Sequence, residues 1–221
     1  MKKIITFFFT VIVLFSVLCF GSCARNDKME KLVSQLRYDV LYSSSENYEI
    51  YAYKELTELP LKSDGKIGEL KNVLTFKIVF RKEISLKSSP IIQFRSDGIN
   101  YRKEFEYRPL SNYVSCCLIL PSMPENKLDV MIDFDSEKQT HTLLTTKNKK
   151  TLSEKDVLSF LKNTEDADAR KIFDGEKEYE IRIRLIYSDG FNCYFLGLYN
   201  EDFSVNFLLD GETGELLAKK I

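Results

Sequence analysis

The sequence contains no tryptophan and one histidine, His141, and its charges almost cancel, with 32 Lys and Arg against 33 Asp and Glu. A single imidazole excludes metal sites that need two or more histidines, and any Ser/His/Asp or Cys/His catalytic site would have to use His141. A formal net charge of -1 leaves no basic excess for the phosphate backbone. We therefore do not expect a nucleic-acid partner.

The chain also lacks the short motifs of cofactor and metal sites. It has no glycine-rich phosphate loop, no Cys-x-x-Cys pair and no zinc-protease helix. We expect no cofactor and no bound metal. What the chain does have is 221 residues, 44% of them hydrophobic and 29% charged, which suit one large or two small globular domains.

The N-terminal segment has the three parts of an export signal. Lys2 and Lys3 precede the apolar run Ile4–Phe20, and the small residues Gly21 and Ser22 follow it. The lysines stay on the cytoplasmic side while the apolar run enters the bilayer. The chain after this segment is predicted to be exported.

The end of the segment, Phe20-Gly21-Ser22-Cys23, resembles the cleavage box of bacterial lipoproteins, which more often have leucine in place of Phe20. The resemblance implies a signal peptide over residues 1–22, cleavage between Ser22 and Cys23, and palmitate-type acyl chains on Cys23. The mature protein would be anchored to the extracytoplasmic face of the cell membrane or to the outer membrane.

Two other readings of the N-terminal segment remain open. The apolar run reaches the lower length limit of a spanning helix, about 17 residues, so it could stay uncleaved as an anchor. A different peptidase could instead cut nearby and release the protein. All three readings place the rest of the chain outside the cytoplasm.

Export also bears on the cysteines. Loss of Cys19 with the signal and lipidation of Cys23 leave Cys116, Cys117 and Cys193. Three is an odd number, and neighbouring residues of a strand point to opposite faces, so we expect no disulfide framework. We interpret the three as small buried apolar residues.

The first part of the exported chain, residues 23–46, is predicted to be a tether with a short helix, because Met29, Leu32, Val33 and Leu36 recur at helical spacing. From Tyr48 onward the hydrophobic period is two. Strands are predicted near residues 48–56, 72–81, 91–96, 100–107, 113–120 and 127–135, with a seventh near 139–146.

Short strands joined by tight turns leave no room for crossover helices, and strands that are apolar on one side pair their apolar faces. Residues 47–146 are therefore predicted to form an antiparallel β-sandwich. In pattern it resembles an immunoglobulin-like sandwich, without the tryptophan and paired cysteines of antibody domains.

The polar stretch Lys147–Lys150 marks a predicted domain boundary, after which Thr151 or Ser153 can cap a helix. This helix is expected to fade in the acidic run Glu165–Asp168. Three strands follow, starting near Tyr179, Phe191 and Phe203. Residues 147–221 are thus predicted to be a helix plus a three-stranded antiparallel meander, which makes the fold class mainly β with an α+β C-terminal part.

The last strand ends in a turn built from Asp210, Gly211, Thr213 and Gly214. The two glycines can adopt positive φ, and the side chains of Asp210 and Thr213 can accept hydrogen bonds from the turn amides. A tight turn and a short apolar return are the direct prediction.

Together with the preceding helix and strands, this Asp-x-x-Thr-Gly turn resembles the ending of a PepSY-type domain. The matching residues are Phe207, Asp210, Thr213, Gly214, Glu215 and Leu216. The resemblance covers about a third of the chain, from Thr151 to Ile221. It implies an exported or membrane-attached protein that restrains a peptidase, and it supplies no catalytic residues.

Charged residues recur at strand spacing in three groups: Asp129, Asp133 and Asp135; Glu176, Glu178 and Glu180; and Arg102, Glu104, Glu106 and Arg108. A two-residue step spans about 7 Å along a strand, too far for easy shared coordination of calcium. We expect the two acidic groups to be solvated surfaces and the mixed group to pair across strands.

The aromatic residues offer a further candidate surface. Tyr48, Tyr51 and Tyr53 belong to one predicted strand, so their rings point to both of its faces. Exposed tyrosines are favoured at recognition surfaces, and half-buried sheet residues are the alternative interpretation.

Together these features favour a lipid-anchored, non-catalytic module that binds a protein or peptide of the cell envelope, with an exported peptidase as one candidate. Capture of a small molecule or glycan in an aromatic pocket is the alternative. An enzyme would require two carboxylates facing each other in one cleft, and we do not expect one.

Overall fold

The computed structural model describes residues 29–82, 86, 88–107, 111–135 and 137–221. Over these residues the chain is mainly β with two short helices, which confirms the predicted β-rich class. The predicted signal peptide, its cleavage position and Cys23 lie outside the described residues, so they stay predictions.

The elements follow one another in this order: β1 (Val33–Ser44), β2 (Tyr48–Glu58), β3 (Leu70–Phe80), β4 (Ile91–Ser96), β5 (Ile99–Glu104), β6 (Glu106–Tyr107), β7 (Tyr113–Ile119), β8 (Lys127–Phe134), β9 (Glu137–Thr145), α1 (Glu154–Asn163), α2 (Ala167–Phe173), β10 (Glu180–Ser188), β11 (Phe191–Tyr199), β12 (Ser204–Asp210) and β13 (Leu216–Lys220).

Six of the seven predicted strands of the first part correspond to β2, β3, β4, β7, β8 and β9, with ends that agree to within two residues. The strand predicted at 100–107 is divided. Phe105, which is 1% exposed, interrupts it. β5 pairs with β4 before the break, and β6 pairs with β7 after it. The chain changes strand partners at Phe105 because this ring is buried in the core.

Hydrogen bonding joins the strands in the order β13-β12-β11-β10-β1-β2-β3-β7-β6. A branch runs β5-β4-β8-β9, and β9 returns to β1 at Leu41 and Tyr42. The β1–β10 pairing is parallel, and the other pairings between described strands are antiparallel.

The expected tether with a short helix is wrong for residues 33–44, which form β1. β1 is hydrogen-bonded to β2 on one edge and to β10 and then β9 on the other. The predicted helix rested on the spacing of Met29, Leu32, Val33 and Leu36, with Glu30 and Lys31 on its polar side. In the structure Gln35 and Asp39 are instead buried and paired with neighbouring strands, so the period-two signal of a half-buried strand is missing.

Buried side chains form two hydrophobic clusters. The first gathers residues of β2, β3, β4, β7, β8 and β9. The second gathers residues of α1, α2 and β10 to β12. β1 contributes to both, with Leu41 in the first cluster and Val40 in the second. The buried residues of the first cluster lie between Leu41 and Leu143, and those of the second lie between Val157 and Leu209 apart from Met29, Val33 and Val40.

The helical segment contains two helices where one was expected. Ser153 caps α1 in a capping box with Asp156, as its position before the apolar residues indicated. The acidic run that was expected to end the helix starts a second one instead. The Asp166 carboxylate accepts hydrogen bonds from the backbone amides of Asp168 and Ala169 and caps α2.

A buried ion pair ties β1 to its surroundings. Lys54 Nζ lies 2.7 Å from Asp39 Oδ2, and the two side chains are 6% and 5% exposed. Lys54 Nζ also donates to the carbonyls of Pro124 and Glu125, each at 3.0 Å. Thr145 Oγ1 donates to the other Asp39 oxygen at 2.6 Å. The pair therefore links β1, β2, β9 and the loop before β8.

Replacement of Lys54 by Met should lower the free energy of unfolding by about 3–5 kcal/mol, because it leaves the Asp39 carboxylate buried without its cation. Lys127→Met is the matched control. It breaks a pair with Asp129 in which both side chains are 59% exposed, and it should cost at most about 1 kcal/mol. Urea unfolding measures both, and equal losses would show that the buried pair does not stabilise the fold.

Candidate functional site

One face of the long sheet carries a row of charged, aromatic and aliphatic side chains that belong to neither hydrophobic cluster. A single row of register partners crosses it from β12 to β7: Leu208, Phe195, Arg184, Arg37, Glu55, Val73 and Ile119. On β10 and β11 the residues of opposite alternation, such as Ile183 and Leu196, belong to the cluster with the helices. We call the face that carries this row the open face.

Arg37 is held at the centre of the open face. Its Nη2 and Nε atoms each lie 2.8 Å from Glu55 Oε1, and its guanidinium lies 4.0 Å from the Tyr53 ring centroid. Glu55 Oε2 also accepts a hydrogen bond from Thr75 Oγ1 at 3.2 Å. β1, β2 and β3 are thus cross-linked by one buried carboxylate.

Arg182 has a buried carboxylate of its own. Glu180 is 0% exposed and accepts a hydrogen bond from Arg182 Nη2. Burial raises the pKa of Glu180, and the neighbouring guanidinium opposes this rise. Glu180 is therefore not part of the solvated acidic surface expected from its spacing with Glu176 and Glu178. It is buried because it has an arginine partner.

Arg182 also holds the segment 59–69, which we call the strap and which connects β2 to β3. Its Nη2 donates to the Lys62 carbonyl and, at 2.7 Å, to Ser63 Oγ. At Gly65, where φ is +74°, an added Cβ would lie 2.4 Å from the carbonyl oxygen of Glu178. The strap and the chain before β10 are thus in direct backbone contact.

Arg184 is bound differently from the other two arginines. Its Nε donates to Gln35 Oε1 at 2.6 Å, and its guanidinium lies 5.3 Å from the Phe195 ring centroid. Burial and the nearby Arg37 lower the pKa of Arg184. Within the described part of the chain, no carboxylate lies within ion-pair distance of it.

Tyrosines lie beside the arginine row, and three of them, Tyr51, Tyr53 and Tyr187, pack against the second hydrophobic cluster. Tyr51 stacks on Tyr53 with centroids 5.9 Å apart, and Tyr42 lies 5.1 Å from Tyr51 and 4.9 Å from Tyr187. Tyr48 is 5% exposed and belongs to the first hydrophobic cluster. The prediction that rings of this strand point to both faces is confirmed. Tyr51 and Tyr53 are half-buried and pack against the second cluster, whereas Tyr48 belongs to the first.

A pocket of about 270 Å³ lies between the strap and β7 at the edge of the open face. Gln35, Glu55, Thr57 and Cys117 are among its lining residues. Cys117 is exposed, so the expectation that all three cysteines are buried is wrong for it, because it has the opposite alternation to Cys116. Burial raises the pKa of the Cys116 thiol to about 12.

Of the remaining predicted residues, Glu106 lines the pocket at the edge of the open face, and Asp129 and Asp135 have partners elsewhere. Asp129 pairs with Lys127 and Thr142, and Asp135 accepts hydrogen bonds from Ser88. Arg102 and Glu104 lie on β5 and Glu106 on β6, so they do not share one strand, and Arg108 lies outside the described residues.

His141 Nε2 is 2.8 Å from the Tyr48 hydroxyl. Among the residues that the structure describes, no group of three His, Cys, Asp or Glu could hold a metal ion.

The C-terminal turn is structural. Asp210 Oδ1 accepts hydrogen bonds from the amides of Glu212 and Thr213, each at 2.8 Å, and Gly214 has a φ of +74°. Gly211 does not have the positive φ expected of it. It is small because an added Cβ would lie 2.4 Å from the Asn192 carbonyl oxygen. The turn thereby holds β11 and Leu152, which precedes the α1 cap Ser153 and whose amide donates to the Gly211 carbonyl.

Sequence reasoning missed the three arginines. The alternation Arg182-Ile183-Arg184 was a usable signal, because it places two cations on one face of a strand whose other face is apolar. Arg37 was missed because residues 29–36 were predicted to be helical.

Neither α1 nor α2 has the length and hydropathy of a membrane-spanning segment.

Comparison with known proteins finds no family model, no curated protein and no solved structure that matches this chain.

Substitution of Gly65 by Ala should displace the strap, because both the positive φ and the Glu178 carbonyl oppose a Cβ there. Gly98→Ala is the matched control, since Gly98 has a φ of +78° and nothing within 4 Å of an added Cβ. We expect a loss of about 1 kcal/mol in unfolding free energy for Gly98→Ala and at least ~2 kcal/mol for Gly65→Ala. Strap amides should also exchange faster in Gly65→Ala alone, and unchanged strap exchange would contradict the docked strap.

Proposed function

We propose that this protein is an extracytoplasmic lipoprotein, anchored to the membrane through Cys23, whose open face binds another protein of the cell envelope without catalysing a reaction. The observation that carries the proposal is the composition of the open face, where Arg37 and Arg184 lie among Tyr51, Tyr53 and Phe195. Tyrosine and arginine are the residue types enriched at the energetic centres of protein interfaces.

The dimensions of the open face support this proposal. Seven adjacent strands, from β12 to β7, span about 29 Å at the usual spacing between strands. Four alternating residues of β2, from Tyr51 to Thr57, span about 20 Å along the strand. The resulting geometric area is ~600 Å², against the roughly 800 Å² that each partner buries in a standard interface, and Glu55, Thr57 and Val73 within it, 2–5% exposed, add almost no accessible area.

The charged groups of this face also favour binding over catalysis. An enzyme of the kind considered from the sequence would need two carboxylates facing each other in one cleft. Glu55 pairs with Arg37, and Glu180 pairs with Arg182. These two carboxylates each position an arginine, whereas the buried carboxylate of Glu58 lies near Glu180 and helps to raise its pKa.

The finer fold assignment belongs to the same proposal. We take residues 47–146 as an immunoglobulin-like sandwich, supported by the antiparallel pairings of β2, β3 and β7 and of β4, β8 and β9. We take residues 147–221 as a PepSY-like unit, supported by the succession of helix, three-stranded meander and Asp-x-x-Thr-Gly turn. The peptidase-restraining role of that family makes an envelope peptidase one candidate partner.

Capture of a small molecule or glycan is the second candidate function. The pocket beside the strap favours it, since Gln35, Glu55 and Thr57 present amide, carboxylate and hydroxyl groups there. Its volume of about 270 Å³ is at the lower limit of common ligand pockets, about 300–1,000 Å³. Its lining residues include no aromatic side chain, so it is not the aromatic pocket that the sequence suggested.

Site-specific crosslinking in living cells tests the proposed function. A photo-crosslinking phenylalanine analogue in place of Tyr51 should capture one envelope protein, because this ring lies on the open face. The same analogue in place of Ile99, which is 48% exposed on β5, is the control and should not capture it.

The Cys23→Ala variant completes the experiment. It should lose labelled palmitate and leave the membrane fraction, and the Tyr51 crosslink should weaken with it. Equal capture from Tyr51 and Ile99, or no capture from either, would contradict a binding role for the open face. Retention of palmitate in Cys23→Ala would contradict the anchor.

A further inference from the structure

Two arginines face each other directly across the open face. Arg37 of β1 and Arg184 of β10 are register partners in the parallel β1–β10 pairing. Like charges in direct opposition destabilise a sheet. A sheet position of this kind normally carries an opposite charge or an apolar residue.

The neighbouring carboxylates of Glu55 and Glu180 form their ion pairs with other arginines and not with Arg184. Glu55 binds Arg37 and Thr75, and Glu180 binds Arg182. Arg184 has Gln35 as its hydrogen-bond partner, through Nε. Its Nη atoms, which form the second edge of the guanidinium, have no hydrogen-bond partner among the described residues.

The surroundings of Arg184 make it unfavourable for its guanidinium to have no carboxylate partner. The side chain is half-buried, lies 5.3 Å from the Phe195 ring centroid, and has Arg182 and Arg37 as charged neighbours. Burial and these two cations lower the pKa of Arg184, while Tyr199 and the Glu55 carboxylate oppose this shift. A partly desolvated cation interacts more strongly with an incoming anion than an exposed one does.

We propose that Arg184 is the binding site for an Asp or Glu carboxylate supplied by the partner protein. The inference deepens the proposed function and rests on it for the identity of the ligand as a protein side chain. The two Nη atoms match the two oxygens of a carboxylate, and Gln35 fixes the guanidinium through Nε. The incoming carboxylate adds a second negative charge beside that of Glu55, which already pairs with Arg37.

Thermal unfolding of the full chain tests the site with sodium acetate as the carboxylate probe, against sodium chloride at equal ionic strength. Acetate should raise the Tm of wild type more than that of Arg184→Met. Arg184→Met should itself keep or raise the Tm, because it removes one of two opposed cations. Arg37→Met should lower the Tm by about 2–4 °C or more, because it leaves Glu55 without its cation.

Two results would overturn the site: equal acetate shifts in wild type and Arg184→Met, or a Tm loss in Arg184→Met as large as that in Arg37→Met. The latter would show that Arg184 is structural. A defect in folding cannot produce the expected result. The acetate-induced Tm shift is compared between wild type and Arg184→Met, which are both folded and have similar Tm values.

The same variants separate this inference from the proposed function. If Arg184→Met abolishes the Tyr51 crosslink and the acetate difference, both proposals are supported. If acetate binds through Arg184 but no envelope protein is captured from Tyr51, the carboxylate site is supported and the protein partner is contradicted.

Discussion

The sharing of one strand, β1, between two sets of strands is the constraint on which the rest of the structure depends. β1 pairs with β2 on one edge and with β10 and β9 on the other, and it supplies side chains to both hydrophobic clusters. A strand paired on both edges has few positions in contact with solvent, so the polar residues Gln35 and Asp39 of β1 are buried. The Asp39–Lys54 pair makes that burial possible, because each ion is fully hydrogen-bonded by its neighbours.

The same arrangement creates the open face. Because β10 lies parallel to β1, Arg184 and Arg37 meet in register, although they are far apart in sequence. The strap then fixes a third arginine, Arg182, through Lys62 and Ser63. Three cations and two buried carboxylates are thus held rigidly on a β-sheet, where side chains are positioned more firmly than on a loop. This rigidity is what a binding surface needs, since little entropy is lost when a partner docks.

Much of the fold could be predicted from the sequence, because most of its strands and helix ends have signals within a short segment of the chain. Strands such as β3 and β8 are buried on one side, so their period of two is visible, and the cap at Ser153 is a local motif. β1 could not be predicted, because its polar residues are satisfied by strands more distant in sequence. The arginines of the site could not be predicted for the same reason. Tyr51 and Tyr53 were found through alternation within one strand, whereas the opposition of Arg37 and Arg184 exists only after two distant segments pair.

Hydrogen exchange of the native protein tests the central role of β1 most directly. If β1 couples the two clusters, its amides, those of β2 and those of β10 should share one high protection level, and Lys54→Met should lower the protection of all three together. Protection of β10 to β12 that stays unchanged while β1 and β2 open would contradict the account, because the two clusters would then unfold independently.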